Sequence, residues 1–169
     1  MEGGDFAWAP HTLAHEAALA CKGYTLAVLP TEIDHLYPPE NRELASRVLE
    51  GGGALLSELA PGIAPVANTF VLRNRIQAAL SQYVLPVEMA KDSGTLHTVR
   101  YGVRYGKRVV TCLPGTNEID HHLSHYEGLI TTIRMFKRKG VQHFVVLKDW
   151  EGLTATLQKE RGKGQQLLF

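Results

Sequence analysis

Hydrophobic positions along the chain fall into short apolar runs separated by longer stretches in which apolar and polar residues mix. Short apolar runs bounded by Gly, Pro or Asn are typical of buried strands. They occur at 24–30, 54–59, 83–89, 107–115 and 141–147. The mixed stretches predict helices at 11–22, 39–53, 70–81, 93–106, 122–139 and 149–160. Because strands that alternate with helices form parallel βαβ units, we predict an α/β fold, a Rossmann-like parallel sheet of about five strands with helices on both faces.

The predicted elements follow one another without a repeat, a low-complexity tract or a linker before residue 160. A chain of 169 residues suits one domain, so we predict a single domain over 1–160. Residues 161–169 are predicted to form a flexible tail, because Gly162 and Gly164 lie at its start. Pro86 cannot donate to a sheet, which favours an edge or a bulge for the third predicted strand.

The composition indicates which broad classes of protein are excluded. Hydrophobic residues make up 44% and charged residues 21%, which indicates a packed core rather than a disordered chain. No apolar run approaches the roughly 20 residues of a membrane helix. The acidic start, MEGGDFAWAP, lacks the features of a secretion signal. We therefore expect a cytoplasmic protein in which Cys21 and Cys112 are buried free thiols, with a disulfide between them as the alternative.

Charge is unevenly distributed, although the net charge is only +1. Residues 1–90 carry five Lys/Arg against ten Asp/Glu, whereas residues 91–140 carry nine against four. A basic segment of this kind is compatible with a polyanion partner or with solvated helix faces. Its candidate track along a nucleic-acid backbone consists of Arg100, Arg104, Lys107 and Arg108.

Polar side chains cluster after the predicted strands, where sites in parallel sheets form. Ser57 ends the second strand, and Arg73, Asn74 and Arg75 follow the next loop. Ser93, Gly94 and Thr95 open the helix after the third strand. Arginine forks and helix N-termini both bind phosphate, so the pattern predicts a site for a nucleotide or a nucleic-acid backbone. The alternatives stay open: Ser93 as a simple helix cap, and the arginines paired with Glu58 or Glu88.

Catalytic and metal-binding motifs are absent from the sequence. No GxSxG, GxxxxGK[ST] or GxGxxG occurs, so no serine hydrolase, P-loop or dinucleotide site and no cofactor are predicted. His121 and His125 stand four residues apart, but no third ligand accompanies them at a recognised spacing. We therefore expect neither a metal site nor an enzyme.

Six segments occur in an order that resembles the DprA/Smf family of DNA-processing proteins. They are AHEAAL, YTLAVLPTEIDHLYPPENREL, GGALLSELAPGIAP, NTFVLRNRIQAALS, VLPVEMAKDSGTLHT and GKRVVTCLPG. The resemblance covers about residues 11–115 and continues more weakly to about 155. It rests on Tyr37-Pro38 with Asn41, Ser57-Glu58, Arg73-Asn74-Arg75-Ile76, Ser93-Gly94 with Thr98, and Pro114-Gly115.

This resemblance implies an extended Rossmann-like domain that binds single-stranded DNA, forms a homodimer and helps to load the RecA recombinase. It implies a role in natural transformation, which is DNA uptake, and in recombination, without enzymatic activity. Because of this resemblance, we add Asn41 and Thr98 to the candidate DNA-binding residues. The chain departs from the family pattern: the usual first strand and Gly-Ser-Arg loop are missing, Pro39 replaces a frequent lysine, and no winged-helix module follows. We therefore expect a truncated or diverged member.

The final residues, QQLLF, resemble the peptide with which bacterial replication and repair proteins dock on the sliding clamp. Gln165 would make the polar contact, and Leu168 and Phe169 would be the apolar anchors. A tail that packs on its own domain is the alternative. Two rivals to the recombination mediator also stay open: an adaptor that acts through this tail, and a nucleoside-monophosphate phosphoribohydrolase-like enzyme with Glu88 as its acid or base.

Overall fold

The computed structural model describes residues 10–113, 123–147, 149 and 151–155. The described residues form two compact units, of which the first ends at Gln77 and the second begins at Ala78. Both units combine helices with parallel strands, which confirms the α/β class. The five predicted strands are all present, and they belong to two sheets, one of two strands and one of three.

The first unit contains a small parallel sheet and the helices that pack beside it. Its helices are α1 (Pro10–Ala20), α2 (Arg42–Glu50) and α3 (Ala67–Leu80), whose last residues enter the second unit. Its strands are β1 (Leu26–Val28) and β2 (Ala54–Leu56), with Leu26 opposite Ala54. A 3-10 turn at Pro39–Asn41 leads into α2, so the predicted helix over 39–53 starts later and stops at three glycines.

The hydrogen bonds of β1 show which of its backbone groups face β2. The Leu29 amide donates to Leu56 O, and the Ala54 amide donates to Thr25 O. Alternate residues of a strand direct their N–H and C=O groups to opposite sides. The Val28 carbonyl therefore points away from β2, towards the other edge of the strand.

The second unit contains a three-stranded parallel sheet in the order β3-β4-β5. Its strands are β3 (Tyr83–Val84), β4 (Arg108–Cys112) and β5 (Phe144–Leu147). Its helices are α4 (Thr95–Arg104) and α5 (Leu123–Arg138), and residues 151–155 are also helical. The edge position of β3 and its end before Pro86 agree with the prediction made from that proline.

The core of the second unit lies between this sheet and its two helices. Val99 of α4 and Leu129 of α5 are fully buried beside Val109 of β4. Phe136 and Phe144 add a tilted aromatic pair with ring centroids 5.2 Å apart. The buried apolar cluster consists of Val84, Met89, Val99, Val109, Leu129, Ile133 and Phe136.

Backbone contacts fasten α5 to the segment after β3. The Met89 amide donates to His125 O at 2.9 Å, and the Leu129 amide donates to Met89 O at 3.0 Å. This approach leaves no room beside Gly128, where a Cβ atom would lie 2.2 Å from Ala90 O. A glycine is therefore required at position 128 by the packing of the backbone, rather than by its conformation.

The two cysteines are free thiols, as predicted, but only one of them is buried. Cys112 ends the buried strand β4, and burial raises the pKa of its thiol. Cys21 is exposed, because α1 ends at Ala20 and Cys21 lies in the turn that follows. The expectation of a buried Cys21 is therefore wrong. Among the described residues, no helix has the length and hydropathy to cross a membrane.

Candidate nucleic-acid interface

Arg73 lies on α3 and turns its guanidinium towards β1. Its Nη1 atom donates to Val28 O at 2.7 Å, the carbonyl that points away from β2. Its Nε atom is shut off from solvent and has no hydrogen-bond partner among the described residues. Burial lowers the pKa of the Arg73 guanidinium. Arg73 thus covers the open edge of β1 and carries a partly buried charge for which the described residues provide no ion pair.

A cavity of about 510 Å³ lies beside Arg73 within the first unit. Its walls come from α1, β1, α2, β2 and α3, and from the segment that joins β1 to α2. Apolar side chains such as Val28, Leu44 and Val48 form much of the wall, and Asn41, Arg73 and Gln77 add polar groups. The structure therefore brings two of the sequence-predicted site residues, Asn41 and Arg73, to one cavity.

Two histidines of α1, His11 and His15, also line this cavity, and they were not among the predicted site residues. The His15 Nδ1 atom lies 2.7 Å from the Thr25 hydroxyl. Burial, and then the charges of Arg73 and His15, lower the pKa of His11. Burial also lowers the pKa of His15. The spacing of four residues at the start of a helix was the one signal that could have identified the pair.

We expect these histidines to make stability depend on pH. Because their pKa values fall below the ordinary 6.5 on folding, the unfolded chain binds more protons in that window. The free energy of unfolding should therefore decrease as the pH falls through about 6.5 and stay level above about 7.5. Urea unfolding across this range tests it. A His11→Gln, His15→Gln double variant should lose part of the decrease; an unchanged profile in that variant would contradict the assignment.

Arg75, two residues from Arg73, is engaged differently. Its Nη2 atom forms an exposed ion pair with Glu58. Asn74, between the two arginines, is buried. The Ser57 hydroxyl donates to Thr31 O at 2.7 Å and accepts a hydrogen bond from the Leu59 amide at 3.0 Å. Ser57 therefore holds two backbone segments together, and Arg75 pairs with Glu58, which was one of the two carboxylates predicted as alternative partners.

The remaining phosphate-site candidates belong to the second unit. Gly94 is the N-cap of α4, and the Thr95 amide donates to the Ser93 hydroxyl at 3.2 Å. A Cβ atom on Gly94 would meet open space. Thr95 and Thr98 are half-buried in the first turns of α4. The segment therefore presents a helix start at which the Cβ position of the N-cap glycine is not filled by another described residue.

The candidate basic track also lies in the second unit. Arg100 and Arg104 are exposed and stand one turn apart on α4, so they share a face. Arg108 is exposed at the start of β4. The Lys107 ammonium instead donates to Ala79 O at 2.8 Å, near the end of α3. Three of the four residues of the track therefore present their side chains to solvent.

Several sequence predictions fall outside the described residues: Pro114-Gly115, His121, and the tail with Gln165, Leu168 and Phe169. Glu88, the acid or base of the enzyme hypothesis, lies in the second unit with its carboxylate 3.7 Å from His125 Nδ1. Within the part of the chain that the structure describes, no group of three or more His, Cys, Asp or Glu residues could hold a metal ion.

Comparison with known proteins places the chain in a family. A family model described as DNA recombination-mediator protein A matches residues 7–133, about three quarters of the sequence. The chain belongs to this family. The segment that matches this family begins before α1 and extends into α5. It therefore includes the residues that line the cavity, both Arg73 and Arg75, and the start of α4. The expectation of a non-enzymatic protein agrees with this description.

The curated relatives of this chain are named Smf or DprA. Protein Smf of Escherichia coli is 43% identical over 103 residues, 61% of this chain and 27% of its own. DNA processing protein DprA of Streptococcus pneumoniae is 36% identical over 116 residues, 66% of this chain and 41% of its own. The chain thus spans about a quarter to two fifths of the length of these curated relatives.

Two solved structures of DNA processing protein A share the fold. The protein from Streptococcus pneumoniae aligns with a TM-score of 0.66 and 28% identity over 85% of this chain and 46% of its own. The protein from Helicobacter pylori aligns with a TM-score of 0.64 and 23% identity over 80% and 57%. The latter is described for its single-stranded DNA binding mode. These similarities confirm the predicted family and the Rossmann-like fold class.

Proposed function

We propose that this chain is a non-enzymatic recombination mediator that binds single-stranded DNA. The observation that carries the proposal is the Arg73 guanidinium, which is partly buried beside a cavity and has no carboxylate partner among the described residues. A buried charge is costly unless an opposite charge compensates it. A DNA phosphate would supply that charge, and family membership and the Helicobacter pylori protein support DNA as its source.

Further residues contribute to this DNA contact in the proposal. Arg75 binds a second phosphate when it leaves Glu58, and Asn74 holds the helix segment between the two arginines. The Ser93 and Thr95 hydroxyls donate to phosphate at the start of α4, where Gly94 has no side chain to obstruct it, with Thr98 one turn further along. Arg100, Arg104 and Arg108 follow the backbone through solvent-exposed charge. Asn41 and Ser57 hold the segments around the cavity.

The biological setting belongs to the same proposal. The protein acts in the cytoplasm as a homodimer, binds single-stranded DNA and assists the loading of a RecA-type recombinase during transformation or recombination. The tail with Gln165, Leu168 and Phe169 docks on the sliding clamp. A pull-down of the clamp with the intact chain and with a chain ending at residue 164 tests the tail; equal capture by both would contradict the docking.

Replacing Glu58 with glutamine is expected to strengthen binding of single-stranded DNA by about threefold. The substitution removes the carboxylate that occupies Arg75 and leaves this arginine to a phosphate. Fluorescence anisotropy with a labelled oligonucleotide at low salt measures the change.

Glu16→Gln is the matched control, because Glu16 forms another exposed arginine pair in this unit, with Arg47 at 2.7 Å. Both variants lose one negative charge, but only Glu58 lies beside the proposed site. The same increase in both variants would show a general effect of net charge and would remove Arg75 from the proposed site.

A further inference from the structure

We propose that the cavity of the first unit receives a nucleobase, turned out of the single strand whose phosphate Arg73 binds. This inference rests on the proposed function and extends it from phosphate contact to base contact. The proposed ligand of the cavity is a planar heteroaromatic ring. Arg73, which binds the phosphate in the proposed function, also lines this cavity.

The dimensions and walls of the cavity fit such a ligand. Its volume of about 510 Å³ lies within the range of small-molecule sites, roughly 300–1,000 Å³. Val28 of β1 and Leu44 and Val48 of α2 are buried residues that line it. An apolar ring placed against these side chains would be removed from water, which favours binding.

An aromatic pair lies among the lining residues. Tyr37 and Phe70 meet edge to face, with ring centroids 6.0 Å apart. Tyr37 is 62% exposed and Phe70 is 36% exposed, so both rings keep surface that a ligand can cover. A base stacked on an aromatic side chain contributes about 1–3 kcal/mol to binding of single strands.

Polar groups of the cavity match the edge of a base. The Gln77 amide both donates and accepts, the His11 ring carries two nitrogen atoms, and the Glu40 carboxylate accepts. Within the described residues, the one hydrogen bond of Arg73 goes to Val28 O, so other N–H groups of its fork are left for a ligand. An aliphatic ligand, such as an acyl chain or an apolar peptide, would bury these groups without partners, which is costly. A nucleobase satisfies the apolar walls and the polar groups together.

The test compares two labelled 15-residue single strands, one of deoxythymidine and one with the same backbone and abasic units. With the unmodified chain at low salt, we expect the abasic strand to bind about tenfold or more weakly. Ala45→Leu, which fills the cavity from α2, should reduce affinity for the thymidine strand and leave the abasic strand unchanged. Ser46→Leu is the matched control, because Ser46 is exposed on the same helix and does not line the cavity.

Each outcome decides a separate claim. Equal affinity of the two strands for the unmodified chain would overturn base insertion and leave phosphate binding intact, whatever the variants do. Failure of both strands to bind would overturn the proposed function itself. Displacement of the thymidine strand by free deoxythymidine monophosphate, lost in Ala45→Leu, would show that the cavity holds a free nucleotide as well as a strand. Displacement by an acyl chain or apolar peptide but not by the nucleotide would overturn the inference.

Discussion

Replacing Gly128 with alanine is expected to lower the free energy of unfolding by about 3 kcal/mol or more. The added methyl group would lie 2.2 Å from Ala90 O and 2.9 Å from Met89 O, and these backbone atoms have no flexible side chain to move aside. To make room, α5 must withdraw from the segment after β3. The two hydrogen bonds that Met89 exchanges with His125 and Leu129 would then lengthen or break.

Chemical unfolding followed by circular dichroism measures this effect. Gly94→Ala is the control, because a Cβ atom at Gly94 meets open space and Gly94 has an ordinary helical φ of −57°. A loss below about 1 kcal/mol in the Gly128 variant, close to that of the control, would show that α5 is not held against this segment.

Replacing Arg73 with methionine is expected to weaken binding of single-stranded DNA by about tenfold or more, without loss of thermal stability. Methionine has a similar length and fills the space with apolar atoms, so it removes a partly buried charge and its unpaired Nε donor. The hydrogen bond to Val28 O is lost as well, which offsets part of that gain. Affinity and stability should therefore respond in different ways to one substitution.

Thermal unfolding and DNA anisotropy on the same preparation measure both quantities. Arg47→Met removes an equal charge from the exposed pair with Glu16 and serves as the control. Equal losses of affinity in the two variants would show that Arg73 contributes to DNA binding only through the net charge of the protein. A large loss of stability with unchanged affinity would show that Arg73 stabilises the edge of β1 and does not bind DNA.

Periodicity was sufficient to predict the strands and helices among the described residues, although most of the second half of the predicted helix 149–160 lies outside them. Each apolar run became a strand, although β3 is short because Pro86 has no N–H group to continue the ladder. Periodicity carries no information on which strands pair, and the division into a two-stranded and a three-stranded sheet did not follow from it. The contact between Met89 and α5 was also hidden, because a glycine inside a helix does not reveal the backbone that approaches it.

The site was predictable in its residue types but not in its geometry. Arg73 and Arg75 were selected together, yet one reaches a strand edge inside the first unit and the other pairs with Glu58 on the surface. Side chains two positions apart on a helix point in directions that differ by about 200°. Arg73 and Arg75 therefore face different surroundings, although they are close in sequence. The cavity could not be foreseen, since its walls come from six segments that only the fold assembles.

Whether the protein binds single strands through phosphate contacts is measured by titrating single-stranded and double-stranded DNA with the intact chain across a range of salt concentrations. We expect tighter binding of the single strand, with an affinity that falls steeply and linearly on logarithmic axes as salt rises. The slope should become shallower by about one in Arg73→Met. Absence of single-strand binding at low salt, or equal affinity for both forms of DNA with the slope unchanged in the variant, would contradict this expectation.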